Sequence, residues 1–298
     1  MADGVIVIDK PKGLTSHDVV ARLRRILKTR KIGHTGTLDP FATGVLVMLV
    51  GRATRLARFL GDSEKEYEAV MRFGFETDTG DATGEPKGEP VAADALAKLD
   101  SEKIESVLPR FRGEIEQIPP MYSAKKVDGE RLYKLAREGK EIERQPVRIR
   151  VTDVRCTGEI GYEGETREFG LSVTCSAGTY VRTLAEDIGK AVGVGCHLSE
   201  LRRTRAGKFA IAAAHTLDQL EEFSDPESAL LPPSEAVVHL PSIILDERGL
   251  EDVRHGRQIT GEAGIAGPVS MLGPEGGLVA VGMADAASGT VQPKIVVV

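Results

Sequence analysis

The chain has 298 residues, 41% hydrophobic and 28% charged, with a net charge of −6 at pH 7. That composition reads as a soluble globular protein of two domains, or one large domain with an appendage, and excludes a disordered or fibrous chain. No apolar run approaches the roughly 20 residues that cross a bilayer.

In chain order, residues 5–8 (Val-Ile-Val-Ile) read as a short buried strand, and 9–13 (Asp-Lys-Pro-Lys-Gly) as a turn. Ser16 is the expected N-cap of a helix through about Lys28, with Val19, Val20, Leu23, Ile26 and Leu27 on its apolar side. Arg22, Arg24, Arg25, Lys28, Arg30 and Lys31 leave its other side basic. A glycine-rich loop follows, then a fully buried strand at 45–50 and a short helix opened by Gly51. A strand is expected at 67–75, a long polar loop at 76–90 and a helix at 93–109. The segment 113–145 reads as a basic connection with a helical stretch near 130–138. Strands at 147–155 and 168–175, a helix at 179–192, a short basic segment at 198–205 and a strand at 208–213 complete this part. The chain turns acidic and proline-containing at 217–240, which places a domain boundary near 240. The remainder, with strand-length runs near 269–272, 278–283 and 294–298, has the composition of a small β-barrel. The cysteines Cys156, Cys175 and Cys196 make no CxxC pair. That favours buried structural thiols in a reducing cytoplasm over a disulfide framework or a zinc site. No secretory signal is expected at the start of the chain.

The stretch Gly33-His34-Thr35-Gly36-Thr37-Leu38-Asp39-Pro40 puts a lone carboxylate on a loop fixed by glycines and a proline, a place where chemistry tends to sit. An Asp before Pro is also the pattern of a helix N-cap with Pro at the first helical position. The wider chain supplies further blocks in order: Gly4 to Gly13 (GVIVIDKPKG), Lys65-Glu66-Tyr67, Gly178-Thr179-Tyr180-Val181-Arg182-Thr183-Leu184, and His197-Leu198-Ser199-Glu200-Leu201-Arg202-Arg203. Together they resemble the TruB-type family of tRNA pseudouridine synthases, over residues 4–210.

That resemblance implies an α+β fold, with a mixed, largely antiparallel sheet flanked by helices. It implies a catalytic domain over 1–239 with an RNA-binding insertion at about 113–145. Residues 240–298 would form a PUA-like RNA-binding barrel. The activity implied is isomerisation of uridine 55 in the T loop of tRNA, with no cofactor and no metal. Asp39 would be the essential carboxylate, acting as a nucleophile or by removing a sugar proton. Arg182 would keep it charged and oriented. An arginine in the first turn of a helix opposes the helix dipole, which is an independent reason to look for its partner. Tyr67 would stack on the uracil, Tyr180 would pack against the site, and Leu201 would wall the uracil pocket. His34 would fill space left by displaced bases, or merely cap the loop backbone. Asp81 would contact RNA or order the site, where a loop aspartate is ordinarily a turn former. The stretch 119–139 resembles the insertion of the stand-alone tRNA enzymes, and Lys125 and Lys126 there would meet phosphates.

The acidic net charge does not oppose this reading, because the charge is segregated. Residues 1–60 hold 11 Lys/Arg against 4 Asp/Glu, while 61–105 hold 5 against 13. A basic face can bind phosphates on an acidic molecule. The expected partner is therefore the T arm of tRNA. Neither a membrane nor an obligatory protein partner is expected, and the expected state is a monomer. A synthase acting on another RNA or through a guide complex, and a catalytically silent tRNA chaperone, are the competing readings.

Overall fold

The computed structural model describes residues 3–88, 91, 93–123, 125–127, 129–163, 165–261 and 264–298; Lys126, Arg131, Arg137, Tyr162 and Glu163 are described by their backbone alone. The first half of the chain runs β1 (Gly4–Lys10), α1 (Ser16–Ile26), β2 (Ile32–His34), β3 (Thr43–Val50), a 3-10 helix (Gly51–Phe59), β4 (Lys65–Phe73), β5 (Glu76–Thr77), β6 (Pro86–Lys87), α2 (Ala93–Ala97), α3 (Ser101–Val107) and β7 (Gly113–Gln117). There follow β8 (Lys126–Val127), β9 (Glu130–Arg131), α4 (Leu132–Arg137), β10 (Val147–Glu163), β11 (Thr166–Cys175), α5 (Val181–Val192), β12 (Cys196–Ala206), β13 (Phe209–Ala210) and α6 (Leu217–Glu222). The last part contains β14 (Ser242–Ile244), α7 (Glu247–Arg254), β15 (Ile259–Thr260), β16 (Gly267–Leu272), β17 (Leu278–Asp285) and β18 (Thr290–Val296).

The main sheet has the order β1-β3-β12-β4-β11-β10-β7, with β2 added to β3 and β13 to β12. Only the β3–β12 pair is parallel. Side chains alternate across a strand, and in β1 and β3 both faces are apolar. Ile6, Ile8, Leu46, Met48 and Val50 join a core that also holds Val19 and Leu23 of α1 and Leu184 and Ile188 of α5. Val5, Val7, Val45, Val47 and Leu49 face the other way, into a cluster with Leu56 of the 3-10 helix and Leu278, Val281 and Ile295 of the C-terminal sheet. That second sheet runs β14-β16-β17-β18-β15. The expected boundary near 240 is thus crossed by an apolar cluster rather than by a bare linker. Arg55 adds a hydrogen bond across it, to the carbonyl of Val296 at 2.7 Å.

Local chemistry corrects several expectations. The cap of α1 is Thr15, not Ser16: Thr15 and Asp18 form a reciprocal capping box, which satisfies two orphan donors at once. Arg22 does not join a free basic face, since it pairs with Asp218 at 2.5 Å and Glu221 at 2.7 Å. The helix expected at 93–109 is broken in two, because Asp100 caps α3 through the Lys103 N–H. The short helix after residue 50 is a 3-10 helix. The polar segment 76–90 contains the β5–β6 pairing, and the basic connection opens with β7, paired to β10. The segment 198–205 lies within β12, in the middle of the sheet. The strand expected at 208–213 is only two residues, followed by a 3-10 turn. Cys175 and Cys196 are buried, but Cys156 is only half-buried.

Gly44 opens β3 with φ +97°, a conformation that β-carbons disfavour. A Cβ there would also sit 2.2 Å from the carbonyl oxygen of Arg203 on the parallel neighbour. Gly44→Ala is therefore expected to destabilise the fold by at least about 2 kcal/mol. Urea unfolding should show this as a lower midpoint at unchanged slope, and an unaltered midpoint would contradict the close approach.

Candidate functional site

The glycine-rich loop connects β2 to β3, which pair directly through Ile32–Val50, Gly33–Leu49 and His34–Met48. No helix follows Pro40, so Asp39 is not an N-cap. The loop and its flanks are instead held by four residues. Ser16 Oγ accepts from the Leu38 N–H at 2.9 Å and donates to the Leu38 carbonyl at 3.2 Å. The Gly13 N–H donates to the Pro40 carbonyl at 2.7 Å. Lys10, fully buried, donates to the carbonyls of Leu14 (2.7 Å), Pro11 (2.9 Å) and Pro40 (3.4 Å). Arg203, reaching from β12, donates to the carbonyls of Val45 at 2.6 Å and Gly36 at 3.1 Å.

These contacts deliver Asp39 to the buried guanidinium of Arg182 at the start of α5, with Oδ2 2.9 Å from Nη2. Arg182 has both Nη atoms engaged further. It donates to the Thr79 carbonyl at 2.6 Å and the Tyr122 carbonyl at 2.7 Å, and its Nη1 lies 3.5 Å from Asp81 Oδ2. The unfavourable position of a cation in the first turn is thereby offset by two carboxylates. Asp81 is itself buried and fixed, accepting from the Thr83 N–H at 2.9 Å and hydroxyl at 2.5 Å and the Thr79 hydroxyl at 3.0 Å. It shapes a turn and charges the site at once.

Asp39 keeps 35% of its side-chain surface open, but at the floor of a concavity walled by protein. Burial pushes its carboxyl above the ordinary 3.8; Arg182 pulls it back, Asp81 adds to the rise, and Lys10 opposes it. The guanidinium therefore moderates the desolvation of Asp39 without cancelling it. Burial lowers Lys10 to about 8 and pushes the Tyr67 phenol up, against a pull from Arg203.

Two cavities meet at Asp39. The smaller, about 250 Å³, is walled by Tyr67, Tyr180, Leu201, Lys65, Arg182 and Arg203 together with the loop 35–39. The larger, about 950 Å³, passes His34, His17, Asp81, Tyr122 and Tyr133. His34 does not cap the loop: its Nδ1 is buried without a hydrogen-bond partner among the described residues, and burial lowers the ring's pKa. Of the expected residues, Asp39, Tyr67, Arg182, Tyr180, Leu201, His34 and Asp81 thus converge. Lys125 lies on the neighbouring segment and lines neither cavity, and the side chain of Lys126 lies outside the described residues. Sequence reasoning missed Lys65, Arg203 and Ser16 as parts of the site. Lys65 and Arg203 stand in the quoted blocks, but nothing in a linear pattern says that a basic strand residue turns inward.

Comparison with known proteins follows the same lines. Residues 24–181 match the family model described as TruB family pseudouridylate synthase (N terminal domain), and residues 182–239 that of the tRNA pseudouridylate synthase B C-terminal domain. The division between the two falls at the start of α5, while the sheet runs on through β12. The chain is 46% identical over 258 residues to tRNA pseudouridine synthase B of Solibacter usitatus (strain Ellin6076), covering 86% of this chain and 85% of that protein. It is 43% identical over 300 residues to the protein of the same name from Thermobifida fusca (strain YX), covering 99% of each. Among solved structures it is similar to a Cbf5-Nop10-Gar1 complex, with 30% identity, TM-score 0.68 and coverage of 99% of this chain and 85% of that one. It is likewise similar to an H/ACA RNP bound to a substrate RNA containing 2'-deoxyuridine, with 29% identity, TM-score 0.71 and the same coverages.

The raised Asp39 carboxyl has a consequence for stability. A group whose folded pKa exceeds its unfolded value binds its proton more tightly in the folded chain. Stability is then lost as the pH rises from near 3.8 through the raised value. Asp39→Asn escapes that loss. It is expected to melt at or above the wild-type temperature at about pH 7.5, with the margin closing as the pH falls toward 4. Paired thermal melts across that range check this, and a variant that melts well below wild type at neutral pH would show the ionised carboxylate to be stabilising.

Proposed function

We propose that this chain, which belongs to the TruB family of pseudouridylate synthases, isomerises uridine 55 in the T loop of tRNA to pseudouridine. The observation that carries the reading is the Asp39–Arg182 pair at 2.9 Å, placed where a single-base cavity opens into a wider groove. A stacked base cannot reach such a carboxylate, so the target uridine is flipped out of the T loop. Its base enters the smaller cavity between Tyr67 and Leu201. The flanking nucleotides occupy the larger one beside His34.

The reaction balances within the nucleoside. The N1–C1′ bond breaks, the base turns, and a C5–C1′ bond forms; the C5 proton leaves and N1 gains one. Asp39 serves as the carboxylate beside the sugar, attacking C1′ or removing a sugar proton. Arg182 holds it in the reactive orientation and keeps it ionised against desolvation. Tyr67 stacks on the base. The segment 113–145 and the C-terminal sheet contribute affinity for the folded tRNA, and the chain acts as a monomer.

The competing reading, a synthase working within a larger RNP, draws on the likeness to the Cbf5 complexes at 29–30% identity. The relatives named tRNA pseudouridine synthase B stand at 43–46%, which favours the tRNA enzyme. Tritium release from tRNA labelled at uracil C5 tests both. The purified chain alone is expected to release tritium from tRNA carrying uridine 55, and not from tRNA with cytidine there. Asp39→Asn should bind the tRNA yet release nothing. Release independent of position 55 would overturn the target, and wild-type release by Asp39→Asn would overturn the role of the carboxylate.

A further inference from the structure

Gln117, the last residue of β7, is 2% exposed and does something none of the motif blocks accounts for. Its Nε2 donates to the Tyr180 carbonyl at 3.0 Å, and its Oε1 accepts from the Tyr180 N–H at 2.8 Å. One side chain thus binds both backbone groups of a single residue. That residue is the N-cap of α5, where no side-chain cap is present, and Arg182 follows two positions later. The chain that leaves Gln117 returns to the same helix turn at Tyr122, whose carbonyl accepts from Arg182 Nη2. Between them, the Pro119 carbonyl accepts from Arg144 Nη1 at 3.2 Å. Arg144 sits just before β10, where the segment that began after β7 comes back to the sheet.

We infer that Gln117 is a positioning residue that locks the start of α5 to the stalk of the 118–146 segment, so that the stalk's geometry sets the alignment of Arg182 with Asp39. The inference rests on the pseudouridine synthase reading above. Its physical basis is rigidity. A backbone residue bound at both its N–H and its carbonyl cannot rotate without breaking two part-buried hydrogen bonds, each of which is expensive to leave unmade. Proline at 119 and 120 stiffens the short path from Gln117 to Tyr122. Movement of the stalk on RNA binding would therefore reach the guanidinium directly, rather than through the hydrophobic core.

The test uses the full chain with Gln117→Met, similar in length but without the hydrogen bonds. Gln117→Asn, one methylene shorter with the same donor and acceptor, is the milder second variant. Three quantities are read: tRNA affinity, the single-turnover rate of tritium release, and the dependence of that rate on pH. Because a small misplacement of a catalytic group can cost about a hundredfold, Gln117→Met should slow the single-turnover step by about 10- to 100-fold while tRNA affinity stays within about threefold. The pH profile separates alignment from mere loss of fold. The groups facing Asp39 are Arg182 from α5, Asp81 from the β5–β6 loop, Lys10 from β1, Tyr67 from β4 and Tyr180. Releasing the clamp frees Tyr180, whose phenol is raised by burial and carries no charge between pH 6 and 8, and with it Arg182, the one charged group displaced; its loss raises the Asp39 carboxyl further. The deficit should therefore be larger at pH 6 than at pH 8, with Gln117→Asn showing the same sign at smaller size. A deficit equal at every pH, or one confined to tRNA affinity, would overturn the inference, as would a wild-type rate in a folded Gln117→Met; if Gln117→Met does not fold, the same criteria apply to Gln117→Asn. Asp39→Asn is run alongside. If it is active, the reading beneath the inference fails; if it is inactive while the Gln117 variants behave as wild type, the clamp alone fails.

Discussion

The structure is organised around one buried guanidinium. Arg182 has almost no solvent, so its two terminal nitrogens must be met by protein. They are met from separate segments: Asp39 on the β2–β3 loop, Thr79 and Asp81 on the β5–β6 loop, and Tyr122 beyond β7. None of these is close to Arg182 in sequence. The sheet order that brings β3, β12, β4 and β11 side by side makes the meeting possible. Without any one acceptor the cation would be under-satisfied in a medium that penalises it heavily. That requirement fixes the loops more firmly than their polar composition suggests.

The carboxylate is treated differently. Asp39 shares its oxygen with one guanidinium and otherwise faces open cavity, which leaves it short of stabilising partners. Its loop is rigid through contacts made by its neighbours. Leu38 is held at both backbone groups by Ser16, and Pro40 through its carbonyl by Gly13 and Lys10. Rigidity and reactivity are thus assigned to different residues. The backbone on either side absorbs the hydrogen bonds, and the side chain between them stays available to a ligand. Preorganisation of this kind lowers the reorganisation needed at the moment of reaction.

What could be read in the linear chain follows from the same division. β1 and β3 were legible because both of their faces are buried, so they appear as unbroken apolar runs. α1 and α5 were legible by period, and the loop at 33–40 by its glycines and proline. β12 was not legible as a strand. Its Arg202, Arg203 and Arg205 look like a solvated basic segment, yet they are consumed by Asp9, by the carbonyls of Gly36 and Val45, and by Glu64 and Glu66. Apart from the Gly207 carbonyl, which Arg205 also reaches at 2.8 Å, these partners lie more than 130 residues away, beyond any local pattern. α7 was missed for another reason. Its eight residues hold only two apolar side chains, Leu250 and Val253, and bury only Val253, with Asp246 as the cap, so it is too short and too polar to stand out as a helix. Ser16 was misread as a cap because Thr15 and Ser16 are both good cap residues, and only the reciprocal bond with Asp18 separates them.

β12 also explains how one strand can serve both the core and the site. Its pairing with β4 slips twice, between Leu198 and Glu200 and between Arg203 and Arg205. A bulge inserts a residue and re-aims the side chains beyond it. Between the two slips, Leu201 and Arg203 share the face toward the small cavity, so the apolar wall and the cation that pins the loop come from alternate positions of one regular stretch. Outside the slips, Leu198 is kept on the same core-facing side as Leu201, opposite Met71, and Arg205 turns to the surface pair Glu64 and Glu66. A continuous ladder would have extended one alternation along the whole strand, and either the core contact or the surface pairing would have faced the wrong way. The central strand therefore tolerates two defects in its hydrogen bonding because they let a single segment meet three different surroundings.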